Sequence, residues 1–219
     1  MGEPVEFISN GVTVSGYLAH PTTGAGLGVI VVHDRRGLVP PVEAVCDRLA
    51  IEGFTALAPD LSGGDQAEDA GADRAVLDMS AAIDHLASHD AVRGEGVGVI
   101  GYGMGGGLAF LIAGHRRHDV RAIVAYYGVI PWPVTGKADW STIAAAVQGH
   151  YGEDDERFPV DQARQFEQEL KNAGVDVELF YYSGCGHGFA DEVGAAAYRE
   201  HEAREAWVRT LEFLRAKLG

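Results

Sequence analysis

The residues able to do chemistry gather at glycine-rich turns that follow apolar runs. The stretch 97–115, VGVIGYGMGGGLAFLIAGH, reads as an apolar strand over 97–100, a turn Gly101-Tyr102-Gly103-Met104-Gly105-Gly106, and an apolar helix from about Gly107 to His115. Two chemistries are built on strand, glycine turn and helix. One is the nucleophile elbow G-x-S-x-G, where a Ser or Cys sits on a strained turn and the next backbone N–H helps to form an oxyanion hole. The other is the dinucleotide fingerprint G-x-G-x-x-G, which Gly101, Gly103 and Gly106 match letter for letter. In the elbow reading the nucleophile position is Gly103, which has no side chain to attack with.

The surroundings decide between the two. A dinucleotide site asks for an acidic residue at the end of the next strand, about 20 residues on, to hold a ribose. That strand ends here in Tyr126-Tyr127-Gly128. The elbow asks instead for an acid after a later strand and a histidine after the next. Asp155 in GEDDERFP and His187 in GHGFAD stand at those places, with Asp154 as a neighbouring competitor. In such a pair the carboxylate orients the imidazole and stabilises its cation, and the imidazole carries the proton. The oxyanion hole would combine the Met104 N–H with one from the loop after Val32, taken as Asp34. The sequence therefore favours the elbow.

These residues need a scaffold that brings them to one place. Residues 5–8 and 12–19 alternate apolar and polar around Asn10-Gly11, a type I′ hairpin signal. Residues 27–32 are a continuous apolar run, as a strand covered on both faces requires. Pro40 and Pro41 start a helix to about Glu52, and a strand over 54–58 follows. A polar loop, 61–71, leads to a helix over 72–89 with Val76, Met79, Ile83 and Leu86 at helical spacing. After the elbow come a strand over 121–127, a long connection over 128–140, a strand over 147–151, a helix over 160–173, a strand over 175–182 and a helix over 195–218. Alternating strands and helices predict an α/β fold, a mostly parallel doubly wound sheet with an N-terminal antiparallel hairpin, in one domain spanning 1–219. His33, Gly103, Asp155 and His187 all follow strand ends, where such sheets place ligands.

Bulk properties narrow the partners. The chain has 219 residues, 47% hydrophobic and 22% charged, with a formal net charge of −15. That charge argues against nucleic acid and acidic membrane surfaces as partners. No apolar run approaches the roughly 20 residues of a membrane span, and the opening MGEPVEF lacks a basic and apolar leader. The expectation is a cytoplasmic monomer or homodimer acting on a small molecule, with Cys46 and Cys185 as free thiols.

Taken together, HDRRGL at 33–38, GYGMGGGLAF at 101–110, AYYGV at 125–129, GEDDERFP at 152–159 and GHGFAD at 186–191 resemble the dienelactone hydrolase family of α/β-hydrolases over nearly the whole chain. The resemblance implies a cofactor-free hydrolase that opens an activated lactone or ester through an acyl-enzyme, with a Cys or Ser nucleophile, an Asp and a His. It carries the acid to Asp155, the base to His187 and the nucleophile position to Gly103. Asp34 falls where well-known members have a Glu contacting the resting thiol, and Asp191 where they carry an Arg four residues after the histidine.

The departures shape the expected function. With Gly103 at the elbow, natural or introduced, the turn forms but ordinary acyl-enzyme hydrolysis is weak or lost. Arg35, Arg36, Tyr127 and Trp132 are candidates to line the pocket, Arg36 or Arg35 by holding a carboxylate; Trp132 and Trp140 either cap it or pack on the core. The Asp at 191 and the acidic charge argue against an anionic lactone. Cys185, two residues before His187, is a displaced nucleophile or a buried thiol. No ligand spacing supports a metal among His33, Asp34, His150 and His187. Two other functions compete: enolate chemistry such as isomerisation, cyclisation or elimination with His187 as base, and a binding module that has lost the chemistry.

Overall fold

In the computed structural model, residues 2–62, 68–128, 139–191 and 196–219 are described. Two strands, β1 (Glu3–Ser9) and β2 (Val12–Ala19), form an antiparallel hairpin. Its turn residues Asn10 and Gly11 both have positive φ, 46° and 80°, as a type I′ turn requires. Then follow β3 (Gly26–Val32), α1 (Pro40–Ile51), β4 (Phe54–Pro59), α2 (Glu68–Ala87), β5 (Val92–Tyr102), α3 (Met104–His115), β6 (Val120–Tyr126), β7 (Ala146–Gly152), α4 (Val160–Asn172), β8 (Val177–Tyr182) and α5 (Glu200–Leu218). Among the described residues the strands form an eight-stranded sheet in the order β1-β2-β4-β3-β5-β6-β7-β8. The pairings from β4 through β8 are parallel, and the hairpin joins antiparallel through β2 and β4. This is the mixed α/β sheet the alternation predicts.

Helices cover both faces. Successive residues of β3 divide between them: Ile30 and Val32 pack with Met79, Ile83 and Leu86 of α2 and Leu108 and Ile112 of α3. Val29 and Val31 pack with Val42, Cys46 and Leu49 of α1 and Leu211 and Leu214 of α5. Residues of one strand point alternately to opposite faces, so a strand buried on both sides must be apolar throughout, as β3 is.

Three boundaries differ from the sequence expectation in ways that matter to the site. The helix after the elbow starts at Met104, not near Gly107. Glycine is a poor helix former, but here close packing overrides propensity. A Cβ on Gly105 would strike the Val32 carbonyl oxygen, and one on Gly106 would lie 2.6 Å from Gly128 Cα. The helix expected from Ala72 starts at Glu68, and the last helix starts at Glu200, after a turn over residues 196–197.

One polar cluster sits inside the apolar layer. His150, at the end of β7, is fully buried. Its Nδ1 lies 2.9 Å from the Tyr182 hydroxyl of β8, and its Nε2 lies 3.1 Å from Gln148 Oε1 and 3.2 Å from Thr210 Oγ1 of α5. Burial, aided by the Arg209 cation, pushes the imidazole down to about 3. An unfolded histidine protonates near its ordinary value of about 6.5. The unfolded chain therefore binds the proton first as pH falls, and stability present above pH about 6.5 is lost from there down toward about 3. Urea midpoints measured across that window should fall more steeply for the protein than for His150→Gln; parallel slopes would refute the assignment.

Candidate active site

The carboxyl ends of β3, β5, β6, β7 and β8, which are neighbours in that order, deliver His33, Gly103, Tyr127, Asp155 and His187 to one edge of the sheet. At the elbow, Gly103 adopts φ 54° and ψ −116°, in the half of φ space that favours glycine. Its N–H donates to the Tyr126 carbonyl at 3.0 Å. A Cβ on Gly101 would strike the Gly105 carbonyl oxygen and come within 2.6 Å of Gly106 N. The turn's glycines at 101, 105 and 106 are thus filled against protein backbone. A dinucleotide fingerprint instead leaves its glycine backbone open to a pyrophosphate. Gly103 differs from its neighbours: a Cβ there would sit 3.7 Å from His187 Nε2 and 3.8 Å from Asp34 Cβ, ordinary van der Waals distances.

The acid and the histidine are tied together. His187 Nδ1 lies 2.8 Å from Asp155 Oδ2, and the Asp155 side chain is wholly buried. Its Oδ1 accepts the backbone N–H groups of Arg157 at 2.8 Å and Phe158 at 3.0 Å. That turn, closed by Pro159 before α4, holds Oδ1 and so fixes the carboxylate's direction, leaving Oδ2 to the imidazole. The loops carrying the two residues are laced by backbone bonds, Glu153 N–H to Tyr182 O and Asp154 N–H to Cys185 O, each 2.9 Å. Asp154 is exposed, where Asp155 faces the imidazole. With Nδ1–H donating to Asp155, His187 Nε2 is left with its lone pair, and among the described residues nothing hydrogen-bonds to it.

Around this pair stand the other predicted residues. Met104 opens α3, so its N–H lies in the first turn, whose N–H groups lack partners within the helix. Asp34 is held from two sides. His33 Nδ1 donates to its carbonyl at 2.6 Å while His33 Nε2 accepts the Leu61 N–H at 2.9 Å. Its carboxylate accepts the Arg36 backbone N–H at 2.9 Å and Arg36 Nε at 3.0 Å. Burial works to raise the Asp34 carboxyl, but the bonds from Arg36 outweigh it and hold the group below its ordinary range. Arg36 also donates to Asp191 Oδ2 at 2.6 Å. Arg36, expected to hold a substrate carboxylate, thus spends Nε and Nη2 on two of the protein's own carboxylates. Arg35 is exposed.

Tyr127 is the one buried residue here with a strained backbone, φ 39°. Its ring lies 5.0 Å from the His187 ring and edge-on to Phe189 at 5.9 Å. Burial holds its phenol protonated far above the ordinary range. Beside it opens a cavity of about 790 Å³, lined by Asp34, Arg36, Tyr102, Tyr127, Asp191 and Trp207. The α5 side of that wall was not found from sequence: helical spacing marks Trp207 as half-buried but not what it faces, and Arg48 stacks over its ring at 4.3 Å.

Other candidates fall elsewhere. Trp132 lies outside the described residues. Trp140 packs edge-on against Phe110 and Phe166, in the core rather than at the pocket. Cys185 is buried among the aromatic residues of the sheet face, and burial pushes its thiol up to about 11. That shift works against the thiolate form a displaced nucleophile would use. His150 does not line the pocket, since both its ring nitrogens are engaged in the buried cluster.

The chain's likeness to known proteins agrees with this fold. The dienelactone hydrolase family model matches residues 14–218. Over the full length of both chains the sequence is 35% identical to protein usf of Aquifex pyrophilus. It is 31% identical, again over both full lengths, to an Aquifex aeolicus protein named "Putative carboxymethylenebutenolidase". In fold it is similar to the crystal structure of a dienelactone hydrolase-like promiscuous phosphotriesterase from metagenomic libraries, with a TM-score of 0.86 and 22% identity, covering 100% of this chain and 99% of that one.

The Asp155 turn has a measurable energetic signature. Asp155→Ala leaves the Arg157 and Phe158 N–H groups without their acceptor, and an unmet buried donor costs about 1–3 kcal/mol. Urea denaturation should show a loss of that size; an unchanged midpoint would mean that those bonds do not hold the turn.

Proposed function

The chain belongs to the dienelactone hydrolase family, and on that footing we propose that its site binds a small ester or lactone at an elbow whose nucleophile position is Gly103. Acyl-enzyme hydrolysis is then weak or lost, while the rest of the machinery stays in place. Asp155 orients His187, His187 Nε2 is the base, and the N–H groups of Met104 and Asp34 receive the oxyanion. The name of the Aquifex aeolicus relative supports the lactone or ester class.

The single observation that carries this reading is the room at Gly103. A Cβ there meets His187 Nε2 at 3.7 Å with no clash. A Cys or Ser side chain would thus point its sulfur or oxygen toward the lone pair that must take its proton. The pairing of Arg36 with Asp34 and Asp191 supports a neutral acyl substrate over an anionic one. Tyr127 and the cavity beside it offer an aromatic wall for that substrate.

A second reading, proton transfer α to a carbonyl without a covalent intermediate, is favoured by the free His187 Nε2. It predicts activity that His187→Ala abolishes and that never leaves an acyl adduct.

The test is p-nitrophenyl acetate hydrolysis by the protein and by Gly103→Cys under the same conditions. Losing a nucleophile from such a triad costs on the order of 10⁶ in kcat in the subtilisin example. The variant should gain several orders of magnitude and an acyl adduct visible by mass spectrometry. A protein that already hydrolyses the ester as fast as the variant would overturn the proposal.

A further inference from the structure

We propose that the cavity between α1 and α5 binds a neutral aromatic ring carrying a hydrogen-bond acceptor, and that the substrate of the proposed site is therefore an aryl ester or aryl lactone. Binding of the ring rests on the cavity alone. Its assignment to the substrate rests on the reading of Gly103 as the nucleophile position. The cavity, about 790 Å³, falls in the range of about 300–1,000 Å³ that small-molecule pockets occupy. Val42 and Val45 give it an apolar wall on α1, and Ala203 and Trp207 face them from α5. Between the two helices lie three tyrosines from the ends of β5 and β6. Tyr102 stacks on Tyr126 at 4.9 Å, and Tyr127 meets those rings at 6.2 Å and 6.3 Å. A flat ring is the shape that such walls cover best.

The polar groups of the cavity say what the ring must carry. Tyr126 spends its hydroxyl on Thr210 Oγ1 at 2.8 Å. Tyr127 is only 5% exposed, and among the described residues nothing hydrogen-bonds to its hydroxyl or to that of Tyr102. Neither hydroxyl is sealed in the core, and both residues line the cavity. A buried phenol ordinarily finds a partner. Burial keeps both phenols protonated, so each offers an O–H donor to a carbonyl or ether oxygen. The charges are already matched. Asp34, Asp191 and Glu200 line the cavity with Arg36, Arg48 and Arg204. Arg36 bonds to Asp34 and Asp191, Arg204 bonds to Glu200, and Arg48 lies over the Trp207 ring. An ion would compete with these pairs, whereas a neutral ring leaves them intact.

Two lining residues join the cavity to the elbow. Asp34 Cβ lies 3.8 Å from the point where a Cβ on Gly103 would sit, and the Tyr127 ring lies 5.0 Å from the His187 ring. One small ester can therefore reach from the cavity to the imidazole. Tyr102, Tyr127 and Trp207 then decide which esters fit.

The experiment is calorimetric titration of the protein with 2-acetonaphthone, a neutral aryl ketone that hydrolysis cannot consume. It should bind more tightly than 2-naphthoate, which has the same ring and a charge, by about tenfold or more. Tyr102→Phe and Tyr127→Phe keep the rings and remove the hydroxyls, and each should weaken the ketone by about 2–10-fold, the yield of one hydrogen bond. Ala203→Phe, at a half-buried helix position, puts a ring into the cavity and should abolish binding. The comparison of ketone with naphthoate needs no variant, so the conclusion does not hang on one that folds poorly. No binding of the ketone, or naphthoate bound as tightly, would overturn the proposal. In Gly103→Cys the ketone should compete with p-nitrophenyl acetate, with a Ki equal to its Kd. A ketone that binds and leaves that rate unchanged would overturn the assignment to the substrate. An inert Gly103→Cys would sink the elbow reading and that assignment with it, while the titration still decides whether the cavity takes the ring.

Discussion

The site hangs on one buried carboxylate. Asp155 has no exposed side-chain surface and yet makes its full set of contacts, two backbone N–H groups on one oxygen and His187 on the other. A buried carboxylate is tolerated only where hydrogen bonds replace its lost water. Its direction is therefore set by the turn that leads into α4 and not by the histidine. The consequence runs outward: the fixed carboxylate selects one tautomer and one ring plane for His187, and that ring aims Nε2 at the elbow. The strained Tyr127, packed against the imidazole and Phe189, closes the other side.

Much of this was legible in the sequence because parallel strands end at a common edge. The apolar runs leading to His33, Gly103 and Asp155, and the glycine-punctuated loop carrying His187, were enough to place all four together. What the sequence hid has physical causes. The start of α3 at Met104 contradicts glycine's propensity and follows from backbone packing against Val32 and Gly128, which is a tertiary fact. Arg36 looked available for a ligand because its partner Asp191 is 155 residues away. The buried setting of His150 could not be read either, because its three partners, on β7, β8 and α5, are brought in only by folding. Trp207 joined the cavity wall for the same reason: a helical stripe says which side is covered, but not by what.

Charge is distributed so that the mouth of the site is less acidic than the chain. The protein carries a net charge of −15, yet beside the elbow the two carboxylates of Asp34 and Asp191 share the Arg36 guanidinium. On the far wall Arg204 pairs with Glu200 at 2.8 Å. These are pairs at or near the surface, worth little to stability. Their effect is local: they use up positive charge that could otherwise grip an anion, and they keep a bare negative charge away from His187.

The geometry of Gly103 also bears on how this chain can change over time. The elbow's backbone, its helix start and its acid–histidine pair are all held by contacts that do not involve a side chain at position 103. Glycine codons ending in a pyrimidine differ from those of cysteine and of serine by a single base. On the proposed reading of Gly103, gain and loss of the attacking group are therefore neighbouring genotypes, and what separates them on this scaffold is the strain a side chain meets at φ 54°.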